Sequence, residues 1–165
     1  MKKQGQFNLS FGMIFSIILI IIFISFAFYA IGKFLELQNS AQSGQFYTDF
    51  QSDIDKMWRS SQGNQEVEYI VPNKVEYVCF IDYSSPERRM YVGFYEDLEQ
   101  NYYENENLFF YPLGSSEGID SREMKNIDLT KTTENENPLC AENINGKVNF
   151  VIKKDFGENL VTIEK

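Results

Sequence analysis

Read for hydrophobic and polar positions, the chain falls into three stretches. Residues 11–35 are apolar on every side, with sixteen Ile, Leu or Phe side chains and no charge between Lys3 and Lys33. A bilayer core of roughly 30 Å needs about 20 such residues in a helix. At roughly 0.3–0.6 kcal/mol per side chain near the helix centre, sixteen favour insertion by roughly 5–10 kcal/mol. The run is longer than the apolar region of a cleaved secretory signal, about 7–15 residues, and no A-x-A-like site follows it. It reads as a retained transmembrane helix.

From residue 36 the pattern changes to spacings of three and four. Leu37, Ala41, Gly44, Tyr47, Phe50, Ile54, Met57 and Trp58 draw one stripe, with Asp49, Asp53 and Lys56 on a wetter face. Residues 36–62 therefore extend the helix as an amphipathic segment. Ser43-Gly44 is a candidate kink, and Gly63 a candidate C-cap after Ser60-Ser61-Gln62.

After Gly63 the period shortens towards two. Residues 66–71, 74–83, 89–95 and 108–111 read as strands, and residues 147–153 and 160–164 as a closing hairpin. In 74–83, Val75, Tyr77, Cys79 and Ile81 share one face, and Val78 and Phe80 the other. Residues 114–137 are polar and weakly patterned, and read as a long loop with a turn of helix near 121–126. The fold class is α+β: a long transmembrane helix continuing as an amphipathic helix that packs on an antiparallel sheet. The organisation is a leader (1–10), a span (11–35), an extension (36–62) and a β-rich domain (63–165). A one-sided sheet needs a cover. The amphipathic half-helix is the only obvious one, with Phe50, Ile54 and Trp58 as anchors.

Charge fixes the direction. Lys2 and Lys3 precede the helix, whereas every acidic residue lies at or beyond Glu36. The positive-inside rule places the N-terminus in the cytoplasm and the β-rich domain outside. From Glu36 onward, 12 basic residues oppose 24 acidic ones, a net of −12. Such acidity argues against a nucleic-acid partner, whose phosphates need a basic face. The absence of histidine removes the commonest general base and zinc ligand. No phosphate-binding glycine loop, EF-hand loop or CxxC occurs, and no nucleophile–base pair can be named. The expected catalytic residues, metal ligands and cofactors are accordingly none. The tetrapeptide Glu-Asn-Glu-Asn, at 104–107 and 134–137, offers hard oxygen ligands for calcium, but a solvated loop explains it more simply.

Cys79 and Cys140 are the only cysteines. In an extracytoplasmic domain the pair suggests one disulfide, although spacing alone leaves two free thiols open. Gly12 and Ser16 form a small-xxx-small pair on which apolar helices can approach.

The start of the chain, MKKQGQFNLSFGMIFSII, places a short basic leader and Gly5-Gln6 before an apolar helix. It resembles the class III signal peptide of type IV pilins, especially archaeal pilin-like proteins. The layout of a long helix followed by a β-rich head, often with a disulfide, is similar too. The resemblance implies cleavage between Gly5 and Gln6 by a prepilin-type peptidase, and self-association through the N-terminal helix. Two positions depart from the pattern: Gln4 stands where many members have Lys or Arg, and Ser10 where many bacterial pilins have Glu. The alternative is an uncleaved anchor carrying an extracytoplasmic binding or accessory module, with membrane lipid as the helix's permanent partner.

Overall fold

The structure, a computed structural model, describes residues 11–88, 92–99 and 105–165. The chain is α+β. Helix α1 (Phe11–Arg59) is followed by β1 (Gly63–Ile70), β2 (Tyr77–Phe80), α2 (Val92–Glu99), β3 (Leu108–Tyr111) and β4 (Ser121–Arg122). Helix α3 (Leu129–Thr132), β5 (Leu139–Glu142), β6 (Lys147–Lys154) and β7 (Thr162–Glu164) complete it. Two compact units divide the chain, Met1–Leu37 and Gln38–Lys165. The first contains the apolar part of α1, which runs on through Ser43-Gly44 without a break.

In the second unit, the rest of α1 packs against two antiparallel sheets. One has the order β1-β6-β7 and the other β4-β3-β2-β5. The helix enters the core because Phe46, Tyr47, Phe50, Ile54 and Met57 recur at helical spacing, and all five are buried. They meet Val67 and Tyr69 of β1, Phe80 of β2, Phe110 of β3 and Phe150 of β6 in one cluster. Phe50 sits at its centre, stacked on Phe150 at 5.1 Å between ring centroids.

Three details of the expected stripe change. Phe46 and Ser43 are buried and belong to it, and Leu37, 69% exposed, and Ala41, also exposed, do not. Trp58 is not a core anchor. It is 40% exposed, and its Nε1 donates to the Asn159 carbonyl at 2.9 Å. Adjacent helical positions lie about 100° apart; Met57 takes the inward one and turns Trp58 to the rim.

Nor does Gly63 cap the helix, which ends at Arg59. The Ser60 N–H and Oγ both donate to the Met57 carbonyl. The Nζ of Lys154, a buried lysine on β6, donates to the carbonyls of Trp58 and Ser60, the latter at 2.9 Å. Gly63 opens β1 instead. A Cβ there would stand 2.6 Å from the Met57 sulfur, so the missing side chain permits a close approach.

The expected strand at 74–83 is shorter, Tyr77–Phe80, because Pro72, Val75 and Asn143 tie its approach into a turn: the Val75 N–H donates to the Pro72 carbonyl, and Asn143 Nδ2 to both carbonyls. The expected strand at 89–95 is overturned where it is described: residues 92–99 are helix α2. Phe94, Tyr95 and Leu98 of α2 lie on a second apolar cluster with Cys79, Ile81, Phe109 and Cys140. The second sheet therefore has two covers, α1 on one face and α2 on the other.

Residues 114–137 are not a structureless loop, and 121–126 holds no helical turn but strand β4, paired with β3. The Asp120 carboxylate accepts from the N–H groups of Gly114 and Ser116 and from Ser116 Oγ. Asp128 caps α3 by accepting from the Lys131 N–H at 3.0 Å. Between β5 and β6 the two-residue turn Asn145-Gly146 has φ of 56° and 81°, the left-handed pair that a tight hairpin requires.

Candidate functional site

The span residues 11–35 are exposed at every position of the isolated chain. Phe23 is 67% and Ile21 59% accessible. Exposed apolar surface on this scale is unfavourable in water. The two serine hydroxyls of the segment are satisfied by its own backbone. Ser16 Oγ donates to the Gly12 carbonyl and Ser25 Oγ to the Ile21 carbonyl, each at 2.8 Å. Bonded to their own helix, these hydroxyls offer no unpaired proton to a hydrocarbon surround. The Gly12–Ser16 pair thus holds one internal hydrogen bond and leaves a low-profile patch. The charges at the segment's C-terminal end, Lys33 and Glu36, pair with each other at 2.6 Å. The helix is long and apolar enough to cross a membrane. Gly5 and Gln6 lie outside the described residues.

Cys79 and Cys140 lie directly opposite one another on β2 and β5, with sulfurs 2.10 Å apart in a disulfide. The expected pairing is therefore present. Both residues are 1% exposed or less, beneath the aromatic surface of α2. The strand register brings the thiols together, so the bond closes a 61-residue separation across two neighbouring strands of one sheet.

The buried polar groups hold the loops. Asn137 is fully buried; its Nδ2 donates to the carbonyls of Asp82, Ser85 and Pro86, and its Oδ1 accepts from the Asp82 N–H. Asn107 bridges Met124 in the same two-way fashion. These amides satisfy backbone groups that burial would otherwise orphan. The Asp82 carboxylate accepts from Ser84 and Ser85. Burial pushes its pKa up, but these hydrogen bonds, with the positive charge of Arg88, outweigh that and hold it below the usual range. Asp53 behaves alike: burial raises its pKa, and hydrogen bonds from Lys56 and the Tyr69 hydroxyl bring it down. Neither carboxylate is held in the protonated form that a general acid needs at neutral pH.

Among the described residues, no group of three or more Cys, Asp or Glu side chains converges as a metal would require. The second Glu-Asn-Glu-Asn copy is accounted for otherwise: Asn137 is the buried loop clamp, and the Glu136 carboxylate pairs with Lys165 at 2.5 Å. Of the first copy, residue 104 lies outside the described residues.

Two surface hollows differ in charge. A cleft of about 670 Å³ beside α1 and the β4 segment gathers Lys56, Arg59, Arg122 and Lys125 against Asp55 and Glu123. Its surface is locally basic in an acidic chain. Arg122 lies 5.7 Å over the Tyr47 ring, and Gln51 grips the backbone of Lys125 through its N–H and carbonyl. A smaller groove of about 300 Å³ lies between α1 and β1, with Asp49 and Glu68 on its walls.

No protein-family model matches the sequence, and no curated protein or solved structure matches it either.

Proposed function

We propose that this chain is a single-pass membrane protein, held by residues 11–35, whose acidic domain lies outside the cytoplasmic membrane, and that it serves as a pilin-like structural or minor subunit of a surface filament or assembly. The observation that carries the reading is the exposed, internally hydrogen-bonded apolar segment on the same helix as the buried Phe46, Phe50 and Ile54. Before assembly, lipid solvates that segment. In an assembly, identical helices replace the lipid, because water is the alternative. Cleavage between Gly5 and Gln6 removes Lys2 and Lys3, which otherwise oppose withdrawal from the cytoplasmic leaflet. The disulfide fits an oxidising exterior. The protein is non-enzymatic in this reading. Its partners are membrane lipid, further copies of its own helix and a prepilin-type peptidase.

A second reading, favoured by Gln4 before Gly5 and by Ser10 in place of an acid, keeps the leader and makes the chain a permanently anchored binding module. Mass spectrometry of the N-terminal peptide from purified membranes separates the two. A mature chain starting at Gln6 supports the subunit, and one retaining Lys2-Lys3 refutes it in favour of the anchor.

A further inference from the structure

We propose that the free edge of β1 docks an extended, basic segment of another polypeptide, which joins the β1-β6-β7 sheet as a fourth strand. β1 ends the sheet order. Its register with β6 pairs Val67 with Phe150 and Tyr69 with Val148, and beyond the strand the Val71 N–H donates to the Gly146 carbonyl at 2.9 Å. In an antiparallel ladder a residue's N–H and C=O point to the same side, and the side alternates along the strand. Odd-numbered residues therefore address β6. The N–H and C=O groups of Asn64, Glu66, Glu68 and Ile70 address the other side, where no described backbone segment bonds to them. This is a row of unpaired donors and acceptors at the spacing a strand requires.

The groove beside this edge supplies the walls. Gln42, Gln45, Phe46 and Asp49 of α1 face Tyr69 and Ile70 across about 300 Å³. Alternate side chains of an added strand would meet Phe46 and Tyr69. The others would lie over Glu66 and Glu68, both exposed. Glu66, Glu68 and Asp49 make the edge acidic, and neither Lys nor Arg is among the residues lining the groove. One cation approaches: Lys147, across on β6, reaches Glu68 at 2.6 Å with both side chains 51% exposed. The charge left over selects Lys or Arg in the incoming strand. It also disfavours a second copy of β1. Antiparallel self-pairing centred on Glu66, Val67 or Glu68 sets glutamate against glutamate, and like charges directly opposite destabilise a sheet.

The test uses the full chain in nanodiscs of zwitterionic lipid and a heptapeptide alternating Val with Lys. A second heptapeptide is N-methylated at its lysines, whose amides would face β1. The proposal expects the plain peptide to bind and to slow amide hydrogen exchange at Asn64, Glu66, Glu68 and Ile70. N-methylation should weaken binding by about tenfold or more, from the loss of two or three backbone hydrogen bonds. Glu66→Pro should do the same, because proline is tolerated where the N–H points off a sheet edge. Should Glu66→Pro fail to fold, the methylated peptide on the unaltered chain still decides. No binding, or binding indifferent to N-methylation, overturns the proposal, the latter as charge attraction alone. Concentration-dependent protection of the same four amides without peptide overturns it in favour of a second copy.

Discussion

Truncating Phe50 to alanine removes the ring that joins both sheets to α1. The ring is fully buried, lies 5.1 Å from both Phe150 and Tyr69, and lies 5.8 Å from Phe80. These partners come from β6, β1 and β2, so no single element can shift to fill the space. Phe→Ala at such a site costs about 3–5 kcal/mol, from lost transfer free energy plus an unfilled cavity. With a urea m-value of ~1.5–2 kcal/mol/M, the midpoint should fall by roughly 1.5–3 M. The assay is urea unfolding of the oxidised full chain in mild detergent, followed by fluorescence of Trp58, the sole tryptophan. Its indole bond to the Asn159 carbonyl ties the signal to docking of α1 on the β6–β7 turn. Leu37→Ala is the paired control: Leu37 is exposed, and its loss should stay within about 0.5 kcal/mol. A cost at Phe50 below about 1 kcal/mol, or no greater than at Leu37, would refute the packing described above.

Replacing Lys154 by Met should cost about 1–3 kcal/mol in the same assay, because the carbonyls of Trp58 and Ser60 lose their buried donor. Replacing Cys79 and Cys140 together by Ala should cost roughly 4 kcal/mol by loop-closure entropy, and in the unaltered chain dithiothreitol should reduce the bond only after urea has opened the domain, as a gel shift would report. Asp53 and Asp82 have folded pKa values below their unfolded ones, so their stabilisation is complete above the ordinary aspartate range and drains away as pH falls through the folded values. Urea midpoints measured down this acid limb should decline, and Asp53→Asn should make the decline shallower; an unchanged slope would remove Asp53 from the account.

The parts of the fold that the sequence displays are those governed by one dominant pattern. The apolar run of residues 11–35 and the alternation in 147–153 each point one way. Residues 108–111 coincide with β3. Helix α2 was hidden because Val92, Phe94 and Tyr95 are β-branched or aromatic, which favours strand locally. What makes the segment helical is the cover that Phe94, Tyr95 and Leu98 provide for the disulfide face. Trp58 shows the limit of a stripe: both it and Met57 fit the spacing, and only the packing says which turns inward. The Asn145-Gly146 turn carried a readable signal, the dipeptide preferred in tight hairpins, and it marks the passage from one sheet to the other. The cysteine pair could be suspected from the count, but it took the β2–β5 register to bring the residues face to face. The open edge of β1 was invisible in the sequence, since strand order follows from long-range pairing.

Fractionation of the expressing cells tests the membrane reading most directly. After alkaline carbonate washing, the chain should stay in the membrane pellet. Protease added to intact cells stripped of their wall should digest its acidic domain, and the recovered fragment should carry an oxidised Cys79–Cys140 pair. Recovery of the intact chain in the soluble cytosol, with both thiols free for alkylation, would contradict it.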